Sequence, residues 1–169
     1  DYYPMTLNSL TAACNQKTSR FPVTEYSESE IQNTLNQLKA QSLVATAIGS
    51  GSRVIKYKHN FNTVFDIEPE EIAILCLLIL RGPQTPGELN TNSARLYEFR
   101  SLEQVHVVLT KLQQGNPPFV VELAKRPGQK ETRFAHLLGG EIVLENTDLT
   151  EATPKVSHDH ESRISALEK

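Results

Sequence analysis

Three observations in this 169-residue sequence predict an α+β fold in which one small unit is used twice. The stretch Ile31–His59 (IQNTLNQLKAQSLVATAIGSGSRVIKYKH) reads as an amphipathic helix, a strand, a Gly-Ser-Gly turn and a second strand. Val105–His136 repeats that order. The two copies also register: Ile31, Leu35 and Leu38 map onto Val105, Leu109 and Leu112 at a spacing of 74. Leu43 and Val44 map onto Phe119 and Val120 at 76, and Gly51, Tyr57 and His59 onto Gly128, Phe134 and His136 at 77. Two small gaps are what a duplicated unit with loop insertions shows. A helix feeding a hairpin is the second half of a winged-helix domain. The expectation is therefore two winged-helix domains in tandem, each a helix-turn-helix plus a β-hairpin. They should span residues 1–64 and 65–138, with a disordered acidic tail over 139–169.

The elements follow in order. Leu7, Leu10 and Cys14 make one apolar stripe, so a helix runs from Leu7 to about Gln16, with Thr6 as its N-cap. Pro22 prevents its continuation. Ser27-Glu28-Ser29-Glu30 is a capping box that opens a helix to about Gln41, with Ile31, Leu35 and Leu38 on its buried face. Leu43–Ile48 and Arg53–His59 are strands, and Asn60–Glu68 is a connector. Pro69 starts a helix with Glu70 and Glu71 beside its positive end. Ile72–Leu80 is apolar on every face, which predicts a subunit or interdomain contact as well as a core; Ile72, Leu75, Leu78 and Ile79 are the expected dimer residues. Gly82-Pro83 ends that helix. Thr85-Pro-Gly-Glu88 and Ser101-Leu-Glu-Gln104 are two more capping boxes, opening helices to about Asn92 and up to Pro117. Phe119–Leu123 and Thr132–Leu137 are strands around a Pro127-Gly128 turn. Glu141–Asp159 is a polar linker, and Arg163–Lys169 resembles the start of a coiled coil.

Charge is distributed unevenly. Residues 1–64 carry 6 basic and 4 acidic side chains, residues 65–137 carry 8 and 9, and residues 138–169 carry 3 and 7. The folded part is nearly neutral, which argues mildly against nucleic-acid binding. Cys14 and Cys76 each sit in an apolar helical stretch and read as buried reduced thiols of a cytoplasmic protein. The longest apolar run, Ile72–Leu80, is too short to span a bilayer, and no signal peptide is visible.

Several motifs are similar to those of the YceH-like family of bacterial proteins. They are Asp1-Tyr-Tyr-Pro-Met-Thr-Leu-Asn-Ser-Leu-Thr-Ala-Ala-Cys-Asn-Gln-Lys17, Gly51-Ser-Arg53 with Tyr57 and His59, and Arg81-Gly-Pro-Gln-Thr-Pro-Gly-Glu-Leu89. The resemblance covers residues 1 to about 138. It implies tandem winged-helix domains, no enzyme activity and no established site residues. Family members carry a further helix ahead of the Asp-Tyr-Tyr-Pro motif, so the first domain is expected to lack its N-terminal helix.

The leading functional expectation is double-stranded DNA binding, in transcriptional regulation and without a cofactor. A winged-helix protein places its third helix in the major groove and its wing on the backbone. Candidate base-reading residues are Gln32, Asn33, Asn36 and Gln37 on one third helix, and Gln104, His106 and Lys111 on the other. Glu28, Glu30 and Glu103 oppose phosphate there. Candidate phosphate contacts are Lys17, Arg20, Arg53, Lys56 and Lys58 in the first domain, and Lys125, Arg126, Lys130 and Arg133 in the second. Lysines that guard hairpin edges against strand pairing would look the same. The alternative is a protein-interaction scaffold or homodimer. Catalysis lacks a supporting motif: His59 and His136 occupy equivalent strand ends, and His158-Asp-His160 is a weak metal pair.

Overall fold

The computed structural model describes residues 3–48, 54–125 and 128–139. The Gly49–Gly51 turn, Arg53, Arg126 and the tail from residue 140, with its expected disorder, coiled-coil start and histidine pair, lie outside the described residues. Within them the fold is α+β, with six helices and two separate antiparallel hairpins. The order is α1 (Leu7–Cys14), α2 (Glu28–Ala40), β1 (Val44–Ile48), β2 (Ile55–His59), α3 (Phe61–Phe65), α4 (Pro69–Arg81), α5 (Pro86–Asn92), α6 (Leu102–Gln114), β3 (Val120–Leu123) and β4 (Arg133–His136).

The first unit packs α1, α2 and the β1–β2 hairpin around Ile31, Leu35 and Tyr57, with Leu7, Leu10, Cys14 and Val44 against them. Its helices start where local chemistry says. The Thr6 hydroxyl accepts the Ser9 amide (3.2 Å). The Ser27 and Glu30 side chains satisfy each other's amides (3.3 and 2.7 Å). Thr46 pairs with Tyr57, and Tyr57 exchanges backbone bonds with Met5 on its other edge (2.7 and 3.1 Å).

The second unit is built on the same plan with a much larger core. Phe134, at the position equivalent to Tyr57, exchanges backbone bonds with Gln84 (2.8 and 3.1 Å), as Tyr57 does with Met5. The interior holds Ile74, Leu75, Leu77, Leu78, Leu89, Val105, Leu109, Leu112 and Val120 among others. The helix α4 explains this size. It is wrapped by α3, α5, α6 and β4, so its apolar faces meet their own unit. This corrects the expected dimer surface: Leu75 and Leu78 are 1% and 0% exposed and unavailable to a second copy. Ile72 is half-buried and Ile79 faces solvent.

Two local readings also change. The connector contains α3, a single turn too short for periodicity to reveal. Tertiary packing holds it, with Phe65 edge-on to Phe119 (5.3 Å) and beside Phe61 (4.6 Å), so this stretch joins the larger core. The box at Ser101 is half formed: Ser101 accepts the Gln104 amide (3.4 Å), but the Gln104 side chain takes the Arg100 amide instead (2.9 Å). At the start of α4 the Glu71 carboxyl takes the Glu68 amide (2.9 Å), a cap where none was expected.

Candidate nucleic-acid interface

The first hairpin presents two lysines on one face. Lys56 lies opposite Ala47, and Lys58 opposite Ala45, so alternation puts all four on the same side. Tyr57 points the other way, into the core, where its hydroxyl donates to Gln32 Oε1 (3.2 Å). Neither lysine has a carboxylate partner within 4.0 Å among the described residues. Lys58 is exposed and Lys56 half-buried along its stem.

Helix α2 offers an amide-rich face beside this hairpin. Asn33, Asn36 and Gln37 are exposed. Gln32 is less available than the sequence suggests, because its amide nitrogen donates to Asn36 Oδ1 (3.2 Å) while its oxygen holds Tyr57. The helix still begins with carboxylates. The Ser27 hydroxyl, and then its amide, hold the Glu30 carboxyl below its usual range and keep it anionic.

In the second unit two of the expected cations, Arg133 and Lys111, are neutralised. Arg133 makes a two-pronged pair with Glu88 (2.8 and 2.9 Å) and also donates to the Pro83 carbonyl (2.9 Å). Lys111 reaches across to the buried Glu71 (2.7 Å). These placements correct two assignments, since a phosphate would have to displace a carboxylate. Gln104 is likewise occupied, its nitrogen donating to the Tyr97 hydroxyl (3.3 Å). His106 is exposed, as are Lys125 and Lys130. Glu103, leading α6, is held anionic first by the Ser101 hydroxyl.

Glu88 gives a pH prediction. Burial pushes its carboxyl up, but the Thr85 amide and then Arg133 outweigh burial and hold it below the usual range. A depressed folded-state value means stability present above the unfolded value and lost as pH falls through the folded one. The wild type should lose this contribution below the ordinary value of 4.5. Glu88→Gln should lack that part of the acid sensitivity, measured as urea midpoints at neutral pH and at about pH 3. An identical acid shift in both proteins would assign the loss to other carboxylates.

The loop residues separate. Lys17 is exposed, whereas Arg20 is half-buried and donates to the Ser19 and Ala13 carbonyls (3.0 and 3.1 Å). Burial pushes the Cys14 and Cys76 thiols up, with Arg20 opposing, so both are poor nucleophiles. Burial pushes the His136 imidazole down. No group of three or more His, Cys, Asp or Glu side chains among the described residues is placed to hold a metal. No helix among them is long and apolar enough to cross a membrane.

Sequence reasoning missed the carboxylates that pair with Arg133 and Lys111. Glu88 is legible as a capping residue; its partnership with Arg133, 45 positions away, is not. It also missed a groove of about 540 Å³ along α4, lined by Phe61, Pro69, Ile72, Cys76, Ile79 and Leu96 among others.

Comparison with known proteins adds relatives. Residues 1–129 match the family model described as "Protein of unknown function, DUF480". A UPF0502 protein of Pectobacterium atrosepticum is 48% identical over 177 residues, covering 99% of this chain and 82% of the relative. One of Shewanella halifaxensis is 45% identical over 182 residues, covering 100% and 83%. One of Aliivibrio fischeri is 47% identical over 173 residues, covering 99% and 79%.

Proposed function

The chain belongs to the DUF480 family, the bacterial YceH-like or UPF0502 proteins, and from that premise we propose that it is a tandem winged-helix protein that binds double-stranded DNA through its first unit. The winged-helix reading is supported by the shared plan of the two units. In each, a short bridging strand (Met5 or Gln84) precedes two helices and a hairpin, and pairs with the hairpin's second strand. The DNA reading is carried by one observation. Lys56 and Lys58 stand opposite alanines on the hairpin face turned away from the core, without carboxylate partners among the described residues, and α2, with its exposed amides, packs against the same hairpin. Lysines there hold phosphates, and Asn33, Asn36 and Gln37 meet base edges. The second unit serves as the stable platform, its Arg133 and Lys111 already paired.

Fluorescence anisotropy with random-sequence duplex DNA across a salt series tests this. Binding should be micromolar at low salt. Lys56→Ala with Lys58→Ala should weaken it and reduce the salt slope by about 2, because two phosphate contacts are lost. Lys125→Ala with Lys130→Ala should leave the slope nearly unchanged. No binding at low salt, or equal losses in the two double variants, overturns the reading.

The α4 groove favours a second reading, a contact between two copies of the chain. Ile79 and Leu96 are 47% and 52% exposed and line this groove together with Ile72, Phe61 and Pro69, an apolar patch rather than scattered side chains. Sedimentation equilibrium should then show a dimer that Ile79→Glu dissociates. Monomer alone at high concentration removes this reading.

A further inference from the structure

Arg20 and Arg81 are treated differently from Arg133 and Lys111. They converge on one residue: Arg20 donates to the Ser19 carbonyl (3.0 Å), and Arg81 to the Ser19 hydroxyl (2.7 Å). Neither has a carboxylate within 4.0 Å among the described residues, although Arg133 and Lys111 each do. Both are only half exposed, and the Nε of each is buried without a partner. A guanidinium carries five donors. Arg20 uses two nitrogens and Arg81 one, so most of their donors remain unspent beside a like charge. Partly desolvated, uncompensated cations are stabilised by an anion that accepts several of these donors at once.

The same seam holds a cavity of about 370 Å³, lined by Arg20, Phe21, Thr24, Tyr26, Ile79 and Leu80 among others; Arg81 stands at its edge, next in the chain to Leu80 and bonded to Ser19 beside Arg20. That size lies within the range of small-molecule sites. Phe21 and Tyr26 are 70% and 47% exposed, and neither stacks on another ring among the described residues. The loop that carries them is pinned from both sides. Asn15 clasps the Tyr26 backbone with two bonds (both 2.7 Å), Thr24 donates to the Cys14 carbonyl (3.2 Å), and the Phe21 amide donates to the Leu80 carbonyl (2.8 Å). Aromatic faces are thus held beside unpaired guanidiniums, at the junction of the two units.

We propose that this seam is a binding site for a nucleoside monophosphate, with Arg20 and Arg81 on the phosphate and Tyr26 and Phe21 against the base. Exposed aromatic rings next to arginine suit a flat base whose charge lies at one end. The site is separate from the Lys56–Lys58 face, and it stands whether or not the hairpin binds DNA. Because its walls come from both units, a ligand there also joins α1 to the end of α4.

Isothermal titration of the full chain tests it, with inorganic phosphate, adenosine and adenosine monophosphate as separate probes. The monophosphate should bind at least tenfold tighter than inorganic phosphate or adenosine. Arg81→Gln removes a charged donor without touching α1, and should weaken monophosphate binding about ten- to hundredfold. Tyr26→Ala should bring the monophosphate down to the level of phosphate. Arg20→Lys, which keeps the charge but loses the forked donors, should weaken it also. Circular dichroism should show all three variants folded, and if Arg20→Lys unfolds, Arg81→Gln and Tyr26→Ala decide. Failure of the monophosphate to bind at millimolar concentration overturns the proposal. So does binding equal to that of phosphate, or binding untouched by Arg81→Gln. Duplex DNA that competes the monophosphate off wild type and the Lys56→Ala, Lys58→Ala variant alike would place backbone phosphate in the seam, and would overturn the nucleotide assignment.

Discussion

Leu78→Ala is expected to destabilise the protein by about 2–5 kcal/mol, the range for emptying a fully buried leucine site. Leu78 is 0% exposed on α4, where the helix is enclosed by α3, α5, α6 and β4. Little of that surrounding can collapse into the hole, so the cavity adds to the lost burial. Leu35→Ala in the first unit should fall toward the low end of the same range. Leu35 keeps 7% exposure in a core with three buried residues among those described, and its neighbours can relax toward solvent. Urea denaturation followed by circular dichroism measures both. A loss under about 1 kcal/mol for Leu78→Ala would mean that α4 is not enclosed as described.

The second large effect lies at Glu71 and Lys111. Glu71 is 3% exposed and accepts both the Glu68 amide (2.9 Å) and the Lys111 ammonium (2.7 Å), while the Lys111 side chain is 59% exposed. An ordinary surface pair contributes about 0–1 kcal/mol. This one is lopsided. Glu71→Ala removes a helix cap but frees a lysine that reaches water, a loss of about 1–2 kcal/mol. Lys111→Ala leaves a buried carboxylate with one donor fewer, a loss of about 1–3 kcal/mol despite the exposed lysine. The double variant should be no worse than their sum less the coupling, and full additivity in the cycle would deny the pair. The Glu71 hydrogen bond, followed by nearby carboxylates after burial's opposing effect, raises the Lys111 ammonium above its ordinary value. A raised folded-state value contributes stability that is present below the unfolded value and lost as pH rises through the folded one. The contribution should therefore fade only above the ordinary value of 10.5, and Lys111→Ala should lack that alkaline step.

Much of the fold was legible because its signals are local. The boxes at Ser27 and Thr85 involve residues three apart, and the structure shows both. The apolar stripes of Ile31 with Leu35, and of Val105 with Leu109 and Leu112, do face cores. The family could be recognised from the motif residues alone. Less of the candidate site was legible. Lys56, Lys111 and Arg133 look alike in a sequence, and what separates them is whether a carboxylate lies near in space. The all-apolar face of α4 looked like surface shared with a second copy, because a sequence does not say how many neighbours a helix will have. The Arg20–Ser19–Arg81 meeting joins positions 62 apart, where no period links them.

By itself, then, the sequence determined the order of the helices and strands other than α3, the caps at Thr6, Ser27 and Thr85, the echo of one unit in the other, and the family. These rest on interactions within about one helical turn or along one hairpin, where spacing alone sets which side chains meet. Tertiary structure alone decided which cations remain unpaired, that Leu75 and Leu78 are interior, and that two arginines share Ser19 between the units. Those outcomes depend on through-space distances between residues 40 or more apart, and Coulomb interaction and burial follow distance in space, not separation along the chain.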